Sequence, residues 1–166
     1  MKKYSRILII ANLILLLGYF NWSVFQKEQT LKDGQLVLLP LAPVDPRSLM
    51  QGDYMNLNYE ISSSSSALIN KQTAAHGYAI LRTDSNQVGQ LIRLQYALTP
   101  LNSNEIAIRY KIVNKRIFLG AESFFFEEGQ DSLYQKARYG GLKINDKGQS
   151  LLVGLYDENF RCIQPN

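Results

Sequence analysis

A chain of 166 residues with 46% apolar side chains has room for one domain with a core of its own. Its formal charge of +4 is no nucleic-acid footprint: Lys2, Lys3 and Arg6 crowd the N-terminus, and without them 15 basic side chains face 14 acidic ones. A single cysteine, Cys162, excludes an intrachain disulfide, and a single histidine, His76, leaves too few soft donors for zinc, so the chain is expected to fold with no cofactor and no metal.

Residues 1–6 form a basic tip, and residues 7–25, ILIIANLILLLGYFNWSVF, carry no charge. At 1.5 Å per residue this stretch reaches about 28 Å, close to the roughly 30 Å hydrocarbon core of a bilayer. It predicts a single transmembrane helix, with Tyr19, Phe20 and Trp22 as an aromatic belt at its outer end. Asn12 is tolerated by its Leu/Ile-rich surroundings or bonds to a neighbouring helix. Three basic residues before the helix against two after it, Lys27 and Lys32, keep the N-terminus in the cytoplasm and export the remainder. After Leu17 the sequence is bulky and aromatic and offers no small-residue cleavage site, so the helix reads as an uncleaved signal anchor. Residues 26–34 read as a polar connector.

Residues 35–166 read as one exported β-rich domain. Gln35–Leu41 is a continuous apolar run, a buried strand that Pro40 ends. The following segment to Asp53, dense in turn formers, is an ordered loop. Asp53–Ile61 alternates, with Met55, Leu57, Tyr59 and Ile61 on one face of a strand and Tyr54, Asn56, Asn58 and Glu60 on the other. Ser62–Ser66 reads as a flexible loop and Ala67–Ala75 as a short helix. Tyr78–Arg82 and Val88–Leu98 form a hairpin, the second strand placing Ile92, Leu94, Tyr96 and Leu98 opposite Arg93 and Gln95. Ile106–Val113 places Ile106, Ile108, Tyr110 and Ile112 opposite Arg109 and Lys111, and Asn114-Lys115 turns tightly into a strand over Arg116–Ala121. Ser123–Phe126 is core, and Glu127–Arg138 is a helix that Gly140-Gly141 stops. Leu142–Ile144 and Ser150–Tyr156 pair around NDKG. The fold class is mainly β or α+β, with eight to ten strands and one or two short helices behind the anchor.

The order Gly52-Asp53-Tyr54, then Leu57 and Tyr59, has the spacing after which the GDYXXLXY family of bacterial membrane-anchored proteins is named. The chain resembles that family also in Asp45-Pro46-Arg47 and in GAESFFFEEG, which holds Glu122, Phe125, Glu128 and Gly129. The same holds for ARYGGLKI, which contains Arg138, Tyr139 and Gly140, and for GQSLLVGLYDE. The likeness covers most of the exported domain, and the serine run departs from it as a loop variation. It implies a bacterial inner (cytoplasmic) membrane location, with the C-terminal domain periplasmic or extracytoplasmic. Besides the lipid bilayer it implies a multi-spanning membrane protein as partner. It implies no chemistry.

The motif residues themselves support two readings. Pro46 fixes φ between two opposite charges, Gly52 permits φ > 0 at the strand entry, and Asp53 accepts backbone N–H bonds or pairs with Arg47. That makes a loop-to-strand corner. The alternative is a partner or ligand surface.

Catalytic chemistry finds little support. There is no Walker loop and no GxGxxG, and His76 reads as a solvated loop residue. Glu122, Glu127, Glu128 and Asp131 are acidic, but Glu127 and Glu128 read as helix openers. Ser48 ahead of Gly52-Asp53, with Lys111, Lys115 or Lys143 as base, resembles the Ser/Lys arrangement of signal peptidases, yet the gap is short and the Ser-Met-x-Pro setting is missing. The expectation is a non-enzymatic, membrane-anchored extracytoplasmic module that binds or supports a membrane protein. A Ser/Lys-type membrane-associated hydrolase is the alternative.

Overall fold

A computed structural model of the chain describes residues 2–42, 54–64, 69 and 73–165. Asp45, Pro46, Arg47, Ser48, Gly52 and Asp53 lie outside the described residues, as does most of the helix expected over Ala67–Ala75.

Helix α1 runs unbroken over Lys2–Asp33. Its stretch Ile7–Asp33 is long and apolar enough to cross a membrane, and its most apolar window buries nothing against the rest of the chain. The polar connector expected over residues 26–34 is therefore helix almost to its end. QKEQTLKD consists mostly of residues that favour helix, so nothing local stops the chain until Gly34. There the Gly34 N–H closes the last turn on the Thr30 carbonyl at 3.0 Å. A Cβ at Gly34 would run into that carbonyl and come 3.2 Å from the carbonyl oxygen of Ile144, so the helix meets the domain without a spacer.

Nine strands among the described residues form three antiparallel groups. The first contains β1 (Gln35–Pro40), β8 (Tyr139–Ile144) and β9 (Ser150–Tyr156), in the order β1-β8-β9. The second contains β3 (His76–Thr83), β4 (Gly89–Gln95), β5 (Glu105–Val113) and β6 (Arg116–Phe118), in the order β4-β3-β5-β6. The third pairs β2 (Tyr54–Asn56) with β7 (Ser123–Phe125). Leu38 bridges β1 to the start of β4, with its N–H on the Gln87 carbonyl at 2.8 Å. Two short helices, α2 (Glu60–Ser64) and α3 (Asp131–Tyr134), complete the domain.

The inward residues of all three groups share one core. Val37 and Leu39 from β1, Ala79 and Leu81 from β3, Ile108 and Tyr110 from β5, and Leu142 and Leu155 from β8 and β9 meet there. Each large side chain buried in this way is worth roughly 1.5–3 kcal/mol of transfer free energy.

The β3–β4 and β8–β9 hairpins form as expected, and so does the inward face of β5. Asn114 and Lys115 both take positive φ, +50° and +61°, as a two-residue hairpin turn requires. Other expectations need correction. Opposite Ile80 and Leu81 of β3 the register of β4 slips by one residue, so Ile92 bulges out unpaired. Leu91 and Leu94 pack on the core instead, while Ile92 and Tyr96 are exposed. Among the described residues, the long strand expected over Asp53–Ile61 pairs as a strand at Tyr54–Asn56, adds a lone antiparallel bridge from Tyr59 to Leu41 and turns into α2 at Glu60, though Met55, Leu57, Tyr59 and Ile61 are all buried as their alternation requires. Ser62 and Ser63 therefore belong to a helix rather than a loop, and Ser62 is buried. The helix over Glu127–Arg138 shrinks to one turn, because Gly129 takes φ +85° and ends any helix opened at Glu127. Gly140 and Gly141 do not stop a helix. They lie inside β8.

Candidate functional site

Leu57 and Tyr59, in the described part of the motif, build a joint. Tyr59, fully buried, donates its hydroxyl to the Ala121 carbonyl at 2.6 Å. Burial first, and the nearby Glu122 carboxylate second, push its phenol far above the usual range, so it stays a donor. Its ring fills the space over Gly140, where a Cβ would come 2.8 Å from Cε1 and 3.1 Å from the hydroxyl. Leu57 is buried, and its N–H bonds to the Glu122 carbonyl at 2.6 Å. The Glu122 carboxylate accepts the N–H groups of Leu119 at 2.5 Å and Gly120 at 3.2 Å, around the positive φ of Gly120. It is a loop cap, not a free acid. Asn58 completes the joint: its carbonyl takes the Ala42 N–H at 2.7 Å, and its Oδ1 takes the Arg116 guanidinium at 2.9 Å.

Tyr54 stands on the opposite face, as alternation predicts. Half-exposed, it packs against Phe125, directly across the β2–β7 pair, with ring centroids 5.8 Å apart. Phe125 is 73% exposed, so only two of the three consecutive phenylalanines face inward: Phe124 and Phe126 pack on the core and against Tyr134, at 4.9 and 5.5 Å. Arg138 serves through its backbone, donating to the Tyr156 carbonyl and accepting from Leu41. Tyr139 packs on Phe160 at 5.2 Å. Glu128 is exposed beside Gly129.

The residues weighed for catalysis do not converge. His76 begins β3 and is exposed. Lys111 and Lys115 are exposed and Lys143 is half-buried, and Ser48 lies outside the described residues. Among the described residues, no three His, Cys, Asp or Glu side chains gather to hold a metal.

Two polar assemblies escaped the sequence reading. Glu105, with a side chain only 2% exposed, receives both terminal nitrogens of Arg93 at 2.7 and 2.8 Å, and the backbone and side-chain nitrogens of Asn102 at 3.0 Å each. The Arg93 bonds, then the Asn102 N–H, hold its carboxyl down to about 2. Alternation puts Arg93 on the face opposite the apolar residues of its strand, and only the pairing of β3 with both β4 and β5 brings these residues together. The second assembly lies where α1 meets the β8–β9 turn. Asn145 Nδ2 donates to Thr30 Oγ1 at 2.9 Å across 115 residues of chain, beside a groove of about 260 Å³. Its sequence signal is the polar spacing Gln26, Gln29, Thr30, Asp33, which repeats on one helix face.

Compared with known proteins, the chain matches the family model described as GDYXXLXY protein over residues 16–155. Neither the curated proteins nor the solved structures yield a match.

Proposed function

The chain belongs to the GDYXXLXY family, and from that premise we propose that it is a non-enzymatic module, anchored in the bacterial inner membrane by α1, that binds or supports a multi-spanning membrane protein from the extracytoplasmic side. The observation that carries this reading is the continuity of α1. One helix contains the apolar stretch and also the Thr30–Asn145 bond to the β8–β9 turn, so no flexible linker separates anchor from domain. A rigid mount suits a domain that meets a partner in the same membrane, since it fixes height and orientation and lowers the ordering cost of binding. The Tyr54–Phe125 pair supplies an outward aromatic contact, while Leu57 and Tyr59 hold the joint behind it.

The test is site-specific photo-crosslinking from position 125 in intact cells, with membrane extraction afterwards. A crosslinked multi-spanning protein, lost on Tyr54→Ser while the melting temperature holds, supports the module. Fluorophosphonate labelling that disappears on Ser48→Ala would replace this reading with the Ser/Lys hydrolase.

A further inference from the structure

The face of α1 that meets the domain is polar where a docked helix is ordinarily apolar. Gln26, Gln29, Thr30 and Asp33 follow the i, i+3, i+4, i+7 spacing of one helix face and oppose the turn that contains Asn145, Asp146 and Lys147. Only Thr30 is buried, held by Asn145. Around that bond the groove of about 260 Å³ stays open. Asp33, Asp146 and Lys147 line it, and none of the three forms an ion pair among the described residues.

The height of this groove follows from the helix. The uncharged stretch ends at Phe25, so Gln26 to Asp33 rise about 2–12 Å beyond it at 1.5 Å per residue. A headgroup layer is about 5–8 Å thick on each side of the hydrocarbon. With α1 inserted as proposed above, on which this inference rests, the helical wall of the groove begins inside that layer.

We propose that the groove binds the headgroup of a zwitterionic phospholipid that carries a phosphate and a primary ammonium. Lys147 takes the phosphate, and the amides of Gln26 and Gln29 donate to its oxygens. Asp33 and Asp146 take the ammonium, whose N–H groups satisfy two carboxylates at once. Two carboxylates against one ammonium leave the groove net negative, which disfavours a purely anionic headgroup. A choline headgroup has the charge but no N–H to donate.

The full chain, purified in detergent, is equilibrated with phosphatidylethanolamine, phosphatidylcholine or phosphatidylglycerol of identical acyl chains, and retained lipid is read by native mass spectrometry. Phosphatidylethanolamine is retained about tenfold over the other two, the worth of one charge-assisted bond. Lys147→Ala lowers its retention, and the Asp33→Asn/Asp146→Asn double variant erases the preference over choline. Neither change lowers the melting temperature, because these side chains hold no part of the fold. Equal retention of all three lipids, or an unchanged preference in both variants, overturns the proposal. Displacement by soluble glycerophosphoethanolamine at equal concentration also overturns it, by assigning the groove to a free solute. A chain that fails to float with liposomes refutes the anchor instead, which separates the two failures.

Discussion

Gly140→Ala puts the tightest demand on the family joint. The added methyl would sit 2.8 Å from Tyr59 Cε1 and 3.1 Å from its hydroxyl, about an ångström closer than the 3.5–4.0 Å optimum for carbon pairs. The ring has nowhere to retreat: it is fully buried, and its hydroxyl is tied to the Ala121 carbonyl at 2.6 Å. Either β8 shifts, at about 1–3 kcal/mol for an overpacked core, or Tyr59 swings out and leaves the Ala121 carbonyl unpaired, at a similar about 1–3 kcal/mol. Both routes predict destabilisation of about 1–3 kcal/mol. At roughly 3–5 °C per kcal/mol for a domain of this size, the melting temperature falls by about 3–15 °C. Near-UV circular dichroism of the full chain in detergent measures it. A double-mutant cycle then locates the clash: Tyr59→Leu is costly alone, but paired with Gly140→Ala the two costs should fall short of their sum by about 1 kcal/mol or more. A Gly140→Ala variant within about 0.5 kcal/mol of the parent, or strict additivity with Tyr59→Leu, refutes the reasoning.

Acid should act through Glu105. Its carboxyl is held to about 2 against an ordinary 4.5, so the folded state favours the carboxylate; the stabilisation is present above the unfolded value and is lost as pH falls from 4.5 toward 2. Melting temperatures recorded across that window should fall in the parent and flatten in Glu105→Gln, which starts lower at pH 7. Asn145→Ala should cost about 1–3 kcal/mol, since it strips the Lys147 and Gln149 N–H groups of their acceptor as well as releasing Thr30. Thr30→Val should cost about 1 kcal/mol, because it removes the bond between helix and turn together with the hydroxyl's own bond to the Gln26 carbonyl one turn back; equal effects of the two variants in a urea titration would show that the turn contributes nothing. Phe125→Ser should leave stability within about 0.5 kcal/mol, its ring being 73% exposed, and a larger loss in the same titration would place it in the fold rather than on a contact surface.

How far the sequence spoke depended on whether a residue's role was local. Alternation in β5 and the turn chemistry of Asn114-Lys115 and of NDKG are local signals, and the chain obeys them. The bulge at Ile92 was illegible, since no residue type there announces it; it arises because β4 must pair with β3 along its whole length while keeping Leu91 and Leu94 on the core. The Gly140-Gly141 pair looks the same in sequence whether it ends a helix or admits a neighbour. The deciding facts are the rings of Tyr59 and Tyr156, which take the space over Gly140 and Gly141 and sit on segments far from each other along the chain.

The motif Tyr54, Leu57, Tyr59 divides on the same principle. Its period of two places Tyr54 on one face and the other two on the opposite face, which alternation alone foretells. That Tyr59 reaches the Ala121 carbonyl, and that Leu57 meets the Glu122 carbonyl, depends on β7 arriving alongside β2 after some sixty residues of chain. Glu122 then had to turn its carboxylate back on Leu119 and Gly120, which removes it from any acidic cluster. Three of the residues that looked like candidates for chemistry or contact are thereby committed to one joint, and what the joint leaves exposed is the Tyr54–Phe125 pair. A buried tyrosine bond, a carboxylate cap and a close-packed glycine together fix where β2 and β7 lie, so the outward aromatic pair is displayed on a rigid support. A contact surface held this way loses little conformational entropy when it is covered.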